Sequence, residues 1–242
     1  DVGRPGIGLE LLFGYTPTLN QYSVDLSAPQ SFSHHLIGRE QIVSRMERAL
    51  SSGNSVILLG QPGVGKKTVV LEFAHRAASG KLGPKMIFIR VLDFDYNAII
   101  SQSVDLNQKT LLLAQVLAEA QAAGNTILMV RDIQRLTHSD VEGHDFTDTF
   151  EEYLEKGELK LIVVVTNTDY ERFVAPNLRL RKFFDTVEVT PPTKEQAMEI
   201  LLEAAQRWER LKYITITLPS LRTILEESDR YITEAPFPEK AL

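Results

Sequence analysis

Four apolar runs of strand length, at residues 55–59, 86–89, 126–130 and 161–165, punctuate the first two thirds of the chain. A weaker fifth follows at 186–189. Amphipathic stretches lie between them. Ile42, Val43, Met46, Ala49 and Leu50 fall on one helical face, and Gly53 is placed to end that helix. Val69, Val70, Phe73, Ala74 and Ala77 line a second helix over 68–78, stopped by Gly80. A long helix is predicted over 111–123, and another ends near Lys156 and Gly157. Unbroken apolar strands alternating with helices predict a parallel sheet covered on both faces.

The pattern changes at Pro191 and Pro192. Beyond them the signal is helical only. Thr193 and Gln196 form a capping-box pair opening a helix to about Leu211, with Ala197, Ile200, Leu201, Ala204 and Trp208 as its inner face. A further helix is expected over 220–228. Residues 1–33 are rich in Gly, Pro, Ser and Thr, with a small apolar patch at Leu9, Leu11, Leu12 and Phe13. The chain therefore divides into an extended N-terminal arm (1–33), a large α/β unit (34–190) and a small helical unit (191–242).

Composition narrows the function. A length of 242 residues suits one large domain with a smaller companion. The net charge of −6 argues against general nucleic-acid affinity. With no cysteine there is no disulfide framework and no thiolate metal site, and an intracellular, cytoplasmic setting is the simplest reading. No apolar run is long enough for a membrane span. Position 1 is Asp and no signal peptide is evident, so the chain reads as a piece of a longer protein.

The chemistry concentrates after the first strand. Gly60-Gln61-Pro62-Gly63-Val64-Gly65-Lys66-Lys67-Thr68 follows the P-loop pattern G-x-x-x-x-G-K-[ST], with Lys67 where the hydroxyl residue belongs. Such a loop turns backbone N–H groups onto phosphate oxygens, the next helix adds its positive N-terminus, and Lys66 adds a charge. The missing hydroxyl is the one that would hold Mg²⁺. His34 and His35 have no other ligands at suitable spacing and read as solvated rather than metal-binding.

Several segments, in order, carry a resemblance. They are Thr16-Pro17-Thr18-Leu19, Leu36-Ile37-Gly38-Arg39-Glu40, the P-loop, Lys156-Gly157-Glu158-Leu159, Arg230-Tyr231-Ile232 and Phe237-Pro238-Glu239-Lys240-Ala241. Together they resemble the first ATPase module of the Clp unfoldases and disaggregases. The resemblance implies a P-loop AAA+ αβα sandwich on a five-stranded parallel sheet, a small helical lid from about Pro191, ATP or ADP as cofactor, and self-assembly into a ring, typically hexameric. It places adenine against Leu36 and Ile37, for which packing ahead of a helix is the plain alternative. Phosphates would lie on Gly63, Val64, Gly65 and Lys66. Protein substrates or a peptidase would be the partners, with no nucleic acid and no membrane.

The chain departs from that pattern at the reaction centre. The family ends its third strand in Asp-Glu, one residue for hydrated magnesium and one to polarise the attacking water. Here Arg131 stands in the first place and Asp132 in the second. Lys67 and Arg131 thus put two cations on the metal side and speak against Mg²⁺. By the same resemblance, Thr166 or Asn167 keeps the polar group expected at the end of the 161–165 strand, and Arg181, beside Arg179 and Lys182, is the candidate trans-acting arginine finger. The region matching the substrate-gripping loop, residues 101–106, has no aromatic. The expectation is a nucleotide-binding module with impaired hydrolysis acting in ring assembly. An active unfoldase module is the alternative, and a DNA-acting clamp-loader type fits less well.

Overall fold

The computed structural model describes residues 16–28, 37–102, 105–143 and 145–242. The framework is a sheet of six strands: β1 Ser23–Asp25, β2 Ser55–Leu59, β3 Arg90–Phe94, β4 Thr126–Arg131, β5 Lys160–Val165 and β6 Phe184–Glu188. Their spatial order is β1-β3-β4-β5-β2-β6. β2 to β6 run parallel, and β1 is antiparallel to β3. Five parallel strands are present as expected in number, four of them at the predicted runs, with one short antiparallel strand added at the edge.

That added strand belongs to the stretch read as an extended arm. Pro17–Gln21 is a short helix, and Leu19, Tyr22 and Leu26 are buried. Register Val24↔Asp93 pairs β1 with β3, and Arg90 Nε lies 2.7 Å from Asp25 Oδ2. Three residues are too few for period-2 alternation to stand out.

A second difference falls at 86–89, where a strand was expected. The chain turns there instead, Phe88 takes a left-handed φ of 57° and is 62% exposed, and β3 begins only at Arg90. Met86 and Ile89 are nevertheless buried, which is why the run reads as a strand. The Leu9 to Phe13 patch and the histidine pair lie outside the described residues.

Alternation along the strands splits the core between the two faces. Ile57, Leu128, Val130, Leu161 and Val163 pack with Leu113, Leu117 and Phe150 on one side. Val56, Leu58, Ile127, Met129 and Ile162 pack with Met46, Phe73 and Ala74 on the other. The helices responsible are Leu106–Ala123 and Thr147–Glu155 on the first face, and Glu40–Ser52 and Lys66–Ala78 on the second. Each large side chain buried this way contributes roughly 2 kcal/mol. The result is an αβα sandwich.

Residues after 191 build a separate small cluster. Ala197, Leu201, Ala205, Leu221, Leu225 and Phe237 hold the helices Lys194–Lys212 and Leu218–Tyr231 together. The capping box of Thr193 and Gln196 is formed, with both reciprocal hydrogen bonds. Trp208, expected inward, is 44% exposed.

Candidate functional site

The P-loop leaves β2 between two neighbours at the C-terminal edge of the sheet. Leu59 pairs with Val165 of β5 and with Glu188 of β6, so Gly60 emerges beside Thr166 and Val189. Gly60 must be a glycine: a Cβ there would stand 2.6 Å from the Val189 carbonyl oxygen. Gly63 and Gly65 both have positive φ, at 72° and 91°, which L side chains rarely adopt. Glu239, from the C-terminal turn Glu239–Ala241, lays its carboxylate on Gly63, where any added Cβ would collide with it.

Gly65 caps Lys66–Ala78 without a side-chain bond, which leaves the first-turn N–H groups for another acceptor. Lys66 is buried and donates to the carbonyl oxygens of Gly60, at 2.7 Å, and Gln61, at 2.9 Å. Burial lowers its pKa, and the charge of Asp132 opposes that shift. Gln61, Pro62 and Gly63 are exposed at the tip, while Val64 is buried beneath it.

The two unexpected cations turn out to share a partner. Lys67 Nζ lies 3.4 Å from Asp93 Oδ2, and Arg131 Nε lies 3.3 Å from Asp93 Oδ1. Asp93 is buried on β3, and its Oδ1 makes no hydrogen bond among the described residues. Two cations within 4 Å of the one buried carboxylate repel a further cation, so these residues do not suit Mg²⁺. Among the described residues no cluster of three metal-ligating side chains occurs.

Asp132 stands one residue beyond β4, with a left-handed φ of 52°, and its N–H donates to the Val164 carbonyl oxygen. Thr166 caps the turn Asn167–Asp169: its hydroxyl donates to Asp169 Oδ2 at 2.7 Å and accepts from the Asp169 N–H. Asn167 is exposed beside it. The P-loop, Asp132, Thr166 and Asn167 thus gather at one edge of the sheet.

Arg181 is not among them. It ends the short helix Leu178–Arg181 ahead of β6, at the opposite edge, roughly a strand length (~17 Å) away along the strand direction. Its neighbours are engaged within the chain. Arg179 pairs with Asp148 and Glu151, and Lys182 pairs with Glu151 and Glu155. Hydrogen bonds from Lys182 and then Arg179 lower the Glu151 pKa. The Arg181 side chain makes no ion pair among the described residues. Tyr96, the aromatic nearest the expected gripping region, is buried under the Arg135 guanidinium.

A cavity of ≈ 190 Å³ lies between the loop and the C-terminal helices. Ile37, Val64, Ile200 and Pro238 give it apolar walls, and Gly65 and Thr68 form its phosphate-loop side. Leu36 lies outside the described residues. Two residues of the site carry little signal in the sequence. Asp93 is a lone carboxylate in the apolar run 91–94, and a carboxylate buried on a strand calls for charged or hydrogen-bonding partners. Arg39 also lines the cavity, and in the sequence it stands out only as part of the 36–40 motif.

A protein-family model, the ATPase family associated with various cellular activities (AAA), matches residues 56–191. The chain belongs to the AAA family. Among curated relatives, the chaperone protein ClpB of Oceanobacillus iheyensis is 29% identical over 246 residues, covering 99% of this chain and 30% of that protein. The negative regulator of genetic competence ClpC/MecB of Bacillus subtilis is 27% identical, covering 94% of this chain and 29% of its own length. Among solved structures, S. cerevisiae Hsp104 in its extended casein complex superposes with a TM-score of 0.83 at 22% identity, over 93% of this chain and 39% of that one. The Hsp104-ADP complex gives 0.82 at 22% identity, over 92% of this chain and 32% of that one. The chain spans about 30% of the length of these curated relatives. This AAA module therefore has the αβα fold of its Clp and Hsp104 relatives.

Proposed function

We propose that this AAA module binds ATP or ADP without a resident magnesium, hydrolyses it slowly, and serves mainly to hold a Clp-like ring together. The observation that carries the reading is the shared carboxylate of Lys67 and Arg131. Both positions that the family uses for the metal are cationic, and Asp93 keeps them in place. The loop retains what phosphate binding needs: two glycines at positive φ, a helix N-terminus without a side-chain cap, and Lys66. Family membership supports nucleotide as the ligand.

Residues 191–242 act in this reading as the lid over the nucleoside end of the ligand, and residues 34–190 as the large unit. Arg181, on the opposite edge from the loop and without an ion pair among the described residues, is the group that reaches a neighbouring subunit's site. Asp132, Thr166 and Asn167 take what remains of the water-side roles. Protein substrates, such as the casein named with Hsp104, are handled by the assembly and driven by another ATPase module.

Calorimetric titration of ATP and ADP, in EDTA and then in excess Mg²⁺, tests the binding part. Affinities within about threefold of each other are expected. Phosphate release measured on the assembled full-length protein, with any other ATPase module inactivated, tests the chemistry. Strong magnesium dependence together with rapid turnover at this site would overturn the reading in favour of an active unfoldase module.

A further inference from the structure

We infer that Arg39 is a second phosphate-binding cation of this site, taking the phosphate nearest the nucleoside. The inference rests on the nucleotide-binding reading above and deepens it. A site built this way recognises a nucleoside phosphate from its proximal end and needs neither a third phosphate nor a metal to hold it.

Arg39 is only 6% exposed, and its Nη1 is buried without a hydrogen-bond partner among the described residues. A buried guanidinium nitrogen in that condition carries a desolvation cost that a ligand oxygen removes. Burial pulls the Arg39 pKa down, yet an arginine stays charged in a protein. The group is therefore a standing cation with a donor to spare.

Its position says what the donor meets. A Cβ built on Gly65 would lie 3.7 Å from Arg39 Nη1 and 3.9 Å from Thr68 Oγ1. Guanidinium, hydroxyl and the uncapped first turn of Lys66–Ala78 therefore converge beside one glycine. A helix N-terminus of this length favours an anion, and the orphaned Arg39 nitrogen is an independent demand for the same thing.

The cavity favours the phosphate nearest the nucleoside. At ≈ 190 Å³ it is smaller than the roughly 300 Å³ of a pocket for a whole small ligand, a size that suits the base end better than an entire nucleotide. Its apolar walls suit a flat ring. Gly65, Thr68 and Arg39 form its loop side, where the first phosphate must emerge. Among the lining side chains, Arg39 and Arg207 set two guanidinium groups against the single carboxylate of Glu203.

The test is calorimetry in EDTA on the intact protein with adenosine, AMP and ADP as titrants. The variants are Arg39→Met, which keeps the aliphatic stem, and Arg39→Lys. The wild type is expected to bind AMP at least tenfold more tightly than adenosine. Arg39→Met should bring AMP down to the affinity of adenosine while leaving adenosine within threefold, and Arg39→Lys should recover part of the loss. Equal weakening of adenosine and AMP, or no weakening of either, would overturn the assignment and leave Arg39 a packing residue. If Arg39→Met melts too early to titrate, the AMP-to-adenosine ratio of Arg39→Lys decides, and a ratio equal to wild type overturns it. A wild-type protein that binds none of the three overturns the nucleotide reading itself, and this inference with it.

Discussion

Lys67 and Arg131, one on the P-loop helix and one at the end of β4, meet on the two oxygens of a single buried carboxylate, Asp93. A lone carboxylate in a strand core is expensive, and two half-exposed cations offset the cost. Asp93→Asn is expected to lower stability by about 1–2 kcal/mol, less than the ~3–5 kcal/mol for breaking a fully buried pair, because both cations face solvent on one side. The same change should tighten ATP binding in EDTA, since both cations become available to phosphate. Urea unfolding and calorimetry on one preparation check both signs.

Two glycines separate crowding from backbone strain. Gly60→Ala places a Cβ 2.6 Å from a backbone carbonyl that cannot move without shifting β6, so a loss of about 2–3 kcal/mol is expected. Gly53 ends its helix at a φ of 103° with open space around it, and Gly53→Ala should cost only ~1 kcal/mol. Equal urea midpoints for the two variants would contradict this account.

Asp132 holds a left-handed backbone that Asp and Asn tolerate better than other side chains. Asp132→Val should cost about 1–2 kcal/mol and Asp132→Gly close to nothing, read from thermal melts. The combined Lys67→Thr, Arg131→Asp, Asp132→Glu variant should gain magnesium-dependent phosphate release in the assembled protein. It should also melt lower than the wild type, because glutamate inherits that backbone.

Acid sensitivity should appear first in the C-terminal helices. Hydrogen bonds from Lys194 and Lys240, each 2.6 Å away, hold the Asp229 pKa at about 2, below its ordinary 3.8. A depressed carboxylate stabilises the fold fully above its unfolded pKa and loses that contribution as pH falls through the folded value. Trp208 is the sole tryptophan and sits in this unit, so its fluorescence should report a transition between about pH 4 and pH 2. Asp229→Asn should flatten the signal in that window; an unchanged acid profile would sink the assignment.

What the sequence made legible was whatever local rules decide. Capping at Thr193, the stop at Gly53 and the P-loop helix face all follow from short-range pattern, and each is found. The misses have long-range causes. Met86 and Ile89 are buried by tertiary packing while Phe88 turns outward at positive φ, so apolar content there did not mean a strand. Lys67 and Arg131 were visible as odd residues, but nothing local linked either to Asp93, which lies on a third element. Arg39 is one letter of a motif in the sequence, and only its buried Nη1, without a hydrogen-bond partner among the described residues, sets it apart.

The small strand β1 has a consequence for handling the protein. Tyr22 and Leu26 occupy backbone groups of Asp95 and Val91 along the outer side of β3, and the Ser27 hydroxyl takes the Val91 N–H. A polypeptide started at residue 34, where sequence composition sets the domain boundary, would carry that edge bare. Open edges recruit other strands. The expected fault of such a fragment is clumping during expression, with its nucleotide loop intact, and the remedy is to begin the chain ahead of Thr16.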